Sequence, residues 1–266
     1  MITHTPDDRE VYYRTKGIGP ELLLVHGGWP VYFEPLVEVL SPKYSCISFD
    51  RLGFRKSTHL DRNTTVEEQV TAIEAIHNSV TSAPVWIFGW SSGGNFALAY
   101  ALSCPDRVKG IILVEPALYA IYPPEKKPPE VERMQNVAMP LFQQGEVEKG
   151  WGEFCEAIFG TLQQSSDPPR TEEDLEIMRC FGYDQPVVIT WCPSEVELHQ
   201  VTQPVLIIEG NQSPSVLRNI CPLLGSRLIN SKLVTLEGQD HGVPNAAPKL
   251  VAEKLTAFMS ECESKT

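Results

Sequence analysis

A serine set between glycines at the end of an apolar run is the residue of this chain best placed for covalent chemistry. In Gly89-Trp90-Ser91-Ser92-Gly93, Ser91 directly follows Val85-Trp86-Ile87-Phe88 and precedes the small-residue stretch 94–101. Read as strand, abrupt turn and helix, this order presents the hydroxyl at the carboxyl end of a sheet, on a strained turn. Flanking glycines fit, because a Cβ there would collide with the neighbouring strand or helix. The bland alternative is a glycine-rich turn that merely holds serines; the strand before it and the helix after it favour a nucleophile. A serine hydroxyl is weakly nucleophilic near neutral pH and needs a base beside it. His241, in Gln239-Asp240-His241-Gly242, lies after the last expected strand and before the last expected helix, on the same rim as Ser91. The other histidines fit less well. His4 is terminal, His59 is in a polar loop, His77 is on a helix flank and His199 ends a helical region. His26 opens a glycine turn.

The elements that must position these groups alternate as strand and helix, which argues for a mostly parallel sheet covered on both faces. Strands are expected at Val11–Thr15, Leu22–Val25, Tyr44–Phe49, Val85–Phe88, Val108–Val114, Val205–Ile208 and Lys232–Leu236. Helices are expected at Tyr32–Leu40, Val66–Val80, Val216–Leu224 and Lys249–Ser260, the second opening with Thr65 and Glu68 at capping-box spacing. Between Pro116 and about Gln203 the strand rhythm stops. A proline-rich turn there leads into amphipathic segments near Glu130–Phe142, Val147–Ile158 and Thr171–Cys180. An ordinary peripheral excursion is possible, but its position after a strand that ends on the serine rim favours a substrate-covering cap.

Composition narrows the class. A chain of 266 residues suits one α/β domain, and its charge of −12 is spread along it without a basic stripe. Nucleic acid and anionic membrane surfaces are therefore poor partners. The first ten residues read as neither a signal nor a transit peptide, and the longest apolar runs are strand-length. Seven scattered cysteines without a C-x-x-C pair suggest reduced thiols in a cytoplasmic protein and no bound metal. Either a monomer or a homodimer fits.

Four segments together resemble the α/β-hydrolase superfamily: the H-G-G turn His26-Gly27-Gly28, the D-x-x-G-x-x-x-S segment Asp50–Ser57, the G-W-S-S-G elbow and the late histidine. The likeness spans about residues 10–115 and 203–260 and is weak between them. It implies a doubly wound, mostly parallel eight-stranded sheet with a helical cap inserted after the sixth strand. The core would be residues 1–116 and 204–266, and the cap 117–203. It also implies a Ser-acid-His triad without a cofactor, and an oxyanion hole from the amides of Gly28 and Ser92. Asp50 and Arg51 would brace the turn that carries Gly28.

One departure bears on the acid. The superfamily usually places an aspartate in a G-x-x-D turn after the seventh strand, but here that turn is Gly210-Asn211-Gln212-Ser213. No carboxylate lies between Glu209 and Glu237. Glu115, in Val114-Glu115-Pro116, ends the sixth strand on the correct rim. This pattern is similar to a subset of these hydrolases, the zearalenone-type lactonases and bacterial relatives reading E-P and then G-x-x-S-P. The alternative for Glu115 is a purely structural strand-end glutamate. Glu209 is the fallback acid, and Asp240 is a poor rival because adjacent side chains on an extended loop point apart.

The expected function is hydrolysis of a hydrophobic carboxylic ester or lactone through an acyl-enzyme on Ser91. His241 would serve as base and Glu115 as orienting acid. Trp29, Trp90, Tyr119 and Trp191 could line an apolar pocket, although core packing explains each equally well. On the same fold a lyase, a C–C hydrolase or a cofactor-free oxygenase could use the Ser-His pair. From another class, a small-molecule receptor could keep the pocket with little turnover.

Overall fold

Leu22-Leu23-Leu24-Val25 is apolar at every position because the strand it builds is buried on both faces. In the computed structural model, which describes residues 1–160 and 170–264, that strand lies inside an eight-stranded sheet. The strands are β1 (Ile2–His4), β2 (Glu10–Lys16), β3 (Glu21–Val25), β4 (Ser45–Phe49), β5 (Val85–Trp90), β6 (Val108–Val114), β7 (Val205–Gly210) and β8 (Ser231–Leu236). Their order is β1-β2-β4-β3-β5-β6-β7-β8. Only β2 runs antiparallel to its neighbours; every other pairing is parallel.

Helices α1 (Glu34–Leu40), α2 (Val66–Val80) and α3 (Ser92–Ser103) precede β6. Between β6 and β7 lie α4 (Pro129–Arg133), α5 (Met139–Gln143), α6 (Val147–Phe159), α7 (Glu172–Thr190) and α8 (Glu195–Gln200). After β7 come α9 (Ser215–Arg218), α10 (Ile220–Gly225), α11 (Val243–Ala246) and α12 (Pro248–Glu263). Side chains alternate across each strand and feed two apolar layers. Leu22 and Leu24 pack with α1 and α12 residues such as Leu36 and Leu255. Leu23 and Val25 pack with α2 and α3 residues such as Ile73 and Phe96.

Several expected elements shift at identifiable residues. The first helix begins at Glu34, because Phe33 takes a left-handed φ of 54°. The helix expected over Val216–Leu224 divides into α9 and α10, since Pro222 lacks the N–H that a continuous helix would donate there. The run Glu130–Phe142 is helical but widens into a π-turn over Met134–Ala138, just ahead of Pro140. The segment expected at Thr171–Cys180 becomes α7, which Thr171 and Asp174 cap reciprocally and which continues past Pro186. β1 went unread because three residues at a sheet edge carry no apolar period. Residues 161–169 of the expected cap lie outside the described residues. Among the described residues no helix is long and apolar enough to cross a membrane. Cys46, Cys104, Cys155, Cys180, Cys192 and Cys221 form no disulfide.

The turn from β5 into α3 is pressed against β3. A Cβ on Gly93 would overlap the carbonyl oxygens of Val25 and His26. Replacing Gly93 by alanine is expected to cost about 1–3 kcal/mol through overpacking. Gly152, mid-way along α6 with open space around it, is the control. There alanine should be neutral or stabilise by up to about 1 kcal/mol. Urea denaturation of the two variants checks both, and equal effects would contradict the close-packing argument.

Candidate active site

The carboxyl ends of β3, β5, β6, β7 and β8 share one rim, and each carries a segment of the site. At the end of β5, Ser91 is held at φ 55° and ψ −129°, a conformation L-residues rarely adopt and one that costs on the order of 1–3 kcal/mol. Backbone bonds maintain it. Its N–H donates to Val114 at 3.0 Å, and its carbonyl accepts from Gly94 at 2.9 Å and Ala117 at 3.1 Å.

Glu115 leaves β6 with a left-handed φ of 42° and is fully buried. One carboxylate oxygen accepts the N–H of Gly210 at 2.7 Å, and the other accepts Nδ1–H of His241 at 2.7 Å. The His241 side chain is 12% exposed and faces a cavity that Ser91 also lines. Its carbonyl accepts the indole N–H of Trp90 at 2.8 Å, and the two rings lie 5.5 Å apart. The structure thus brings Ser91, His241 and Glu115 to one place. Glu209 instead accepts the hydroxyl of Thr235 at 2.8 Å, and Asp240 accepts the N–H of Gly242 at 2.8 Å.

The cavity encloses about 1080 Å³. Gly27, Gly28, Trp29, Trp90 and Ser91 line it from the sheet side, with Gln212, Pro214, Ser215, Val216 and Asp240–Gly242. The segment between β6 and β7 supplies the other wall, including Trp151, Phe154, Phe159 and Phe181. Those rings pack on one another, Trp151 on Phe181 edge-on at 4.9 Å and Phe154 on Phe181 at 4.6 Å. Of the four aromatic residues proposed as lining, Trp29 and Trp90 do line the cavity. Tyr119 and Trp191 do not. Tyr119 sits in a short turn just after β6 and is buried in the apolar layer on the α3 side. Trp191 lies ten residues beyond Phe181 along α7, about 15 Å at 1.5 Å per residue. The lining of α6 was open to detection, since Trp151, Phe154 and Ile158 recur at helical spacing.

Sequence reasoning passed over the partner of Arg51. This guanidinium is fully buried and forms a two-pronged ion pair with Asp184 of α7, both bonds 2.9 Å. It also donates to the carbonyls of His26 and Gly27, each at 3.1 Å. His26 is buried beside it, so burial and then the Arg51 charge push its pKa well below the ordinary value. The ring is therefore neutral, with Nδ1–H donating to Gly27 and Nε2 accepting the N–H of Arg51. Gly28 lines the cavity on the next residue, and buried Ser92 opens α3. Nearby, burial and the bond to Asp50 raise the Tyr32 phenol to about 12. For metals, His59, Glu176 and Cys180 have ligand atoms within 4.8 Å of one another, away from the cavity. Burial keeps that thiol protonated by raising it to about 12, and Glu176 is bonded to Arg179.

A family model described as alpha/beta hydrolase fold matches residues 20–244. The chain belongs to that family. Among curated relatives, a pimeloyl-[acyl-carrier protein] methyl ester esterase of Aliivibrio salmonicida is 35% identical over 107 residues. That stretch is 39% of this chain and 39% of the relative, so the match spans about two-fifths of either protein. Among solved structures, an esterase from Thermogutta terrifontis superposes with a TM-score of 0.77 at 19% identity, covering 98% of each chain. An alpha/beta hydrolase from Sphaerobacter thermophilus gives 0.75 at 23%, covering 97% of this chain and all of that one. At these identities the structural likeness is one of fold.

The neutral histidines make stability depend on pH. Burial lowers the pKa of both His26 and His77. Unfolding releases them to an ordinary value near about 6.5, so the unfolded chain binds more protons below that pH. Their contribution is therefore complete above about pH 6.5 and is lost as the pH falls towards the folded values. Thermal midpoints measured between about pH 7.5 and 5 should fall on the acid side. A midpoint that rises on acidification would contradict buried neutral imidazoles.

Proposed function

We propose that this hydrolase-fold protein cleaves a carboxylic ester or lactone of a hydrophobic small molecule through an acyl-enzyme on Ser91. The 2.7 Å bond between Glu115 and Nδ1 of His241 carries the reading. With Nδ1–H engaged, Nε2 is the ring nitrogen left to take a proton from a hydroxyl. Ser91 shares the cavity with that ring. As Oγ attacks the acyl carbon, His241 takes its proton, and the buried carboxylate of Glu115 stabilises the imidazolium. The amides of Gly28 and Ser92 then receive the oxyanion. Collapse breaks the acyl C–O bond and His241 returns the proton to the alcohol oxygen. Water, deprotonated by His241, attacks the acyl carbon; the bond to Ser91 Oγ breaks, His241 returns the proton to Oγ, and the acid leaves. In a lactone the alcohol stays attached to the acyl chain.

The cavity walls favour an uncharged aryl or alkyl substrate, with segment 117–203 acting as its cap. Among the described residues the charged lining consists of Glu130, Glu156, Asp240 and Arg133, and Arg133 is itself paired with Glu153 and Glu156. A carrier-bound acyl ester, the substrate named for the Aliivibrio relative, would bring further negative charge to a rim where Arg133 is already paired. A free small ester or lactone suits that rim better, as in the zearalenone-type subset that shares the strand-end glutamate.

A fluorophosphonate should label the chain once, at Ser91, and Ser91→Ala should abolish both labelling and turnover of p-nitrophenyl esters. Label found elsewhere with Ser91 untouched would remove the nucleophile assignment. Glu115→Gln should retain fold and substrate binding while lowering kcat on the order of 10⁴-fold, as loss of the orienting carboxylate does in other triads. Near-wild-type kcat in Glu115→Gln would leave a Ser-His dyad. Inactivity of Glu209→Gln instead would move the acid to β7.

A further inference from the structure

We propose that the buried Arg51–Asp184 pair is a latch through which α7 sets the direction of the Gly28 amide, making Arg51 and Asp184 positioning residues for the oxyanion hole. The proposal rests on the oxyanion role given to Gly28 above. A peptide group is planar and trans, so the carbonyl of Gly27 and the N–H of Gly28 point in opposite directions. Whatever grips the first aims the second. Two donors grip it: Nη2 of Arg51 at 3.1 Å and Nδ1–H of His26 at 2.7 Å. The Gly28 N–H is thereby directed away from the guanidinium. The preceding peptide is held likewise, because Nε of Arg51 donates to the carbonyl of His26 at 3.1 Å.

Arg51 can do this only while its own geometry is fixed. Asp184 fixes it with two parallel bonds of 2.9 Å, an arrangement that locks a guanidinium plane as a single contact would not. The rings of Phe54 and Phe96 lie 4.8 and 4.7 Å from the guanidinium carbon. Thr64 donates to Asp184 at 3.3 Å. No group in this set is exposed, and a fully buried pair is an expensive way to gain stability alone, since apolar residues of like size often serve better. What the pair supplies is direction. One turn before Asp184 on the same helix, Phe181 lines the cavity and packs so tightly on Gly28 that a Cβ there would lie 2.5 Å from the ring. The same helix therefore touches both the substrate space and the turn, and its seating decides whether the hole is formed.

The test separates direction from stability. Arg51→Met and Asp184→Leu singly each strand a buried charge and should lower both the denaturation midpoint and kcat. Combined, they remove both charges, so the midpoint should recover towards wild type. Turnover of p-nitrophenyl butyrate should stay reduced by about 10²–10³-fold, the loss expected for one oxyanion donor, with KM little changed. A crystal structure of the double variant should show the Gly27–Gly28 peptide rotated. Asp184→Asn, which keeps the shape, should fold and show a smaller loss, on the order of tenfold in kcat. The proposal is overturned if kcat of the double variant returns with its stability, or if the peptide keeps its wild-type direction. Should the double variant fail to fold, wild-type kcat in Asp184→Asn overturns it. If wild type neither turns over the ester nor takes a fluorophosphonate at Ser91, the hydrolase reading fails. The peptide direction in the variants then decides the latch by itself.

Discussion

A carboxylate with no access to water must have both oxygens answered, and Glu115 is such a group. Leaving a buried charge unpaired costs several kcal/mol, so its partners are requirements of the fold as much as of the chemistry. One partner is the N–H of Gly210 at the end of β7, and the other is His241 in the loop after β8. The ends of three strands must therefore converge on a single side chain. The parallel registers β6–β7 and β7–β8 are what allow it. Were β7 to slip by one residue, Gly210 would leave its acceptor and each side chain of Val205–Ile208 would turn to the opposite face of the sheet.

The same rim carries two strained residues, Ser91 and Glu115, on neighbouring strands. Neither φ is one a side chain adopts freely, and each is held by bonds that cross between the strand ends. The N–H of Ser91 reaches Val114, the N–H of Ala117 returns to Ser91, and the N–H of Glu115 reaches Ile208. The strain is sustained because the strands beneath are buried on both faces: Ile87, Phe88, Leu113 and Val114 have no exposure at all. Core packing thus bears on the candidate site indirectly, through the backbone geometry it can enforce at the strand ends.

Sequence reading found the parts of the site whose cause is local. A glycine-flanked turn after an apolar strand needs only its own few residues to be recognised, and the same holds for the H-G-G turn and the histidine loop. Glu115 was reachable as the partner of His241 by exclusion, since the segment after β7 offered no carboxylate until Glu237. Long-range pairs left no such trace. Arg51 and Asp184 are 133 residues apart, and nothing near either names the other. Tyr119 and Trp191 were offered for the pocket because aromatic content is visible while direction is not. α7 outran its expected end near Cys180 and stays helical even past Pro186, where a helix usually stops. The short edge strand β1 formed through pairing with β2, which no periodicity within three residues can announce.

Two kinds of contact therefore meet in one cavity and differ in what they tolerate. The aromatic wall of α6 and α7 relies on contacts with little directional demand, such as Trp29 on Trp151 at 5.2 Å and Phe142 on Phe181 at 5.7 Å. Hydrophobic surfaces of this sort accept exchanges of similar volume at modest cost. The rim relies on hydrogen bonds whose worth vanishes with small changes of angle. Under the proposed function, substrate preference can drift by replacing wall residues while Ser91, His241 and Glu115 stay still. The exception is α7, where Phe181 belongs to the wall and Asp184 to the ion pair with Arg51 beneath the His26–Gly28 turn. Under the proposed function, a change in how that helix seats would alter fit and turnover together, which makes α7 the place where wall and rim cannot vary independently.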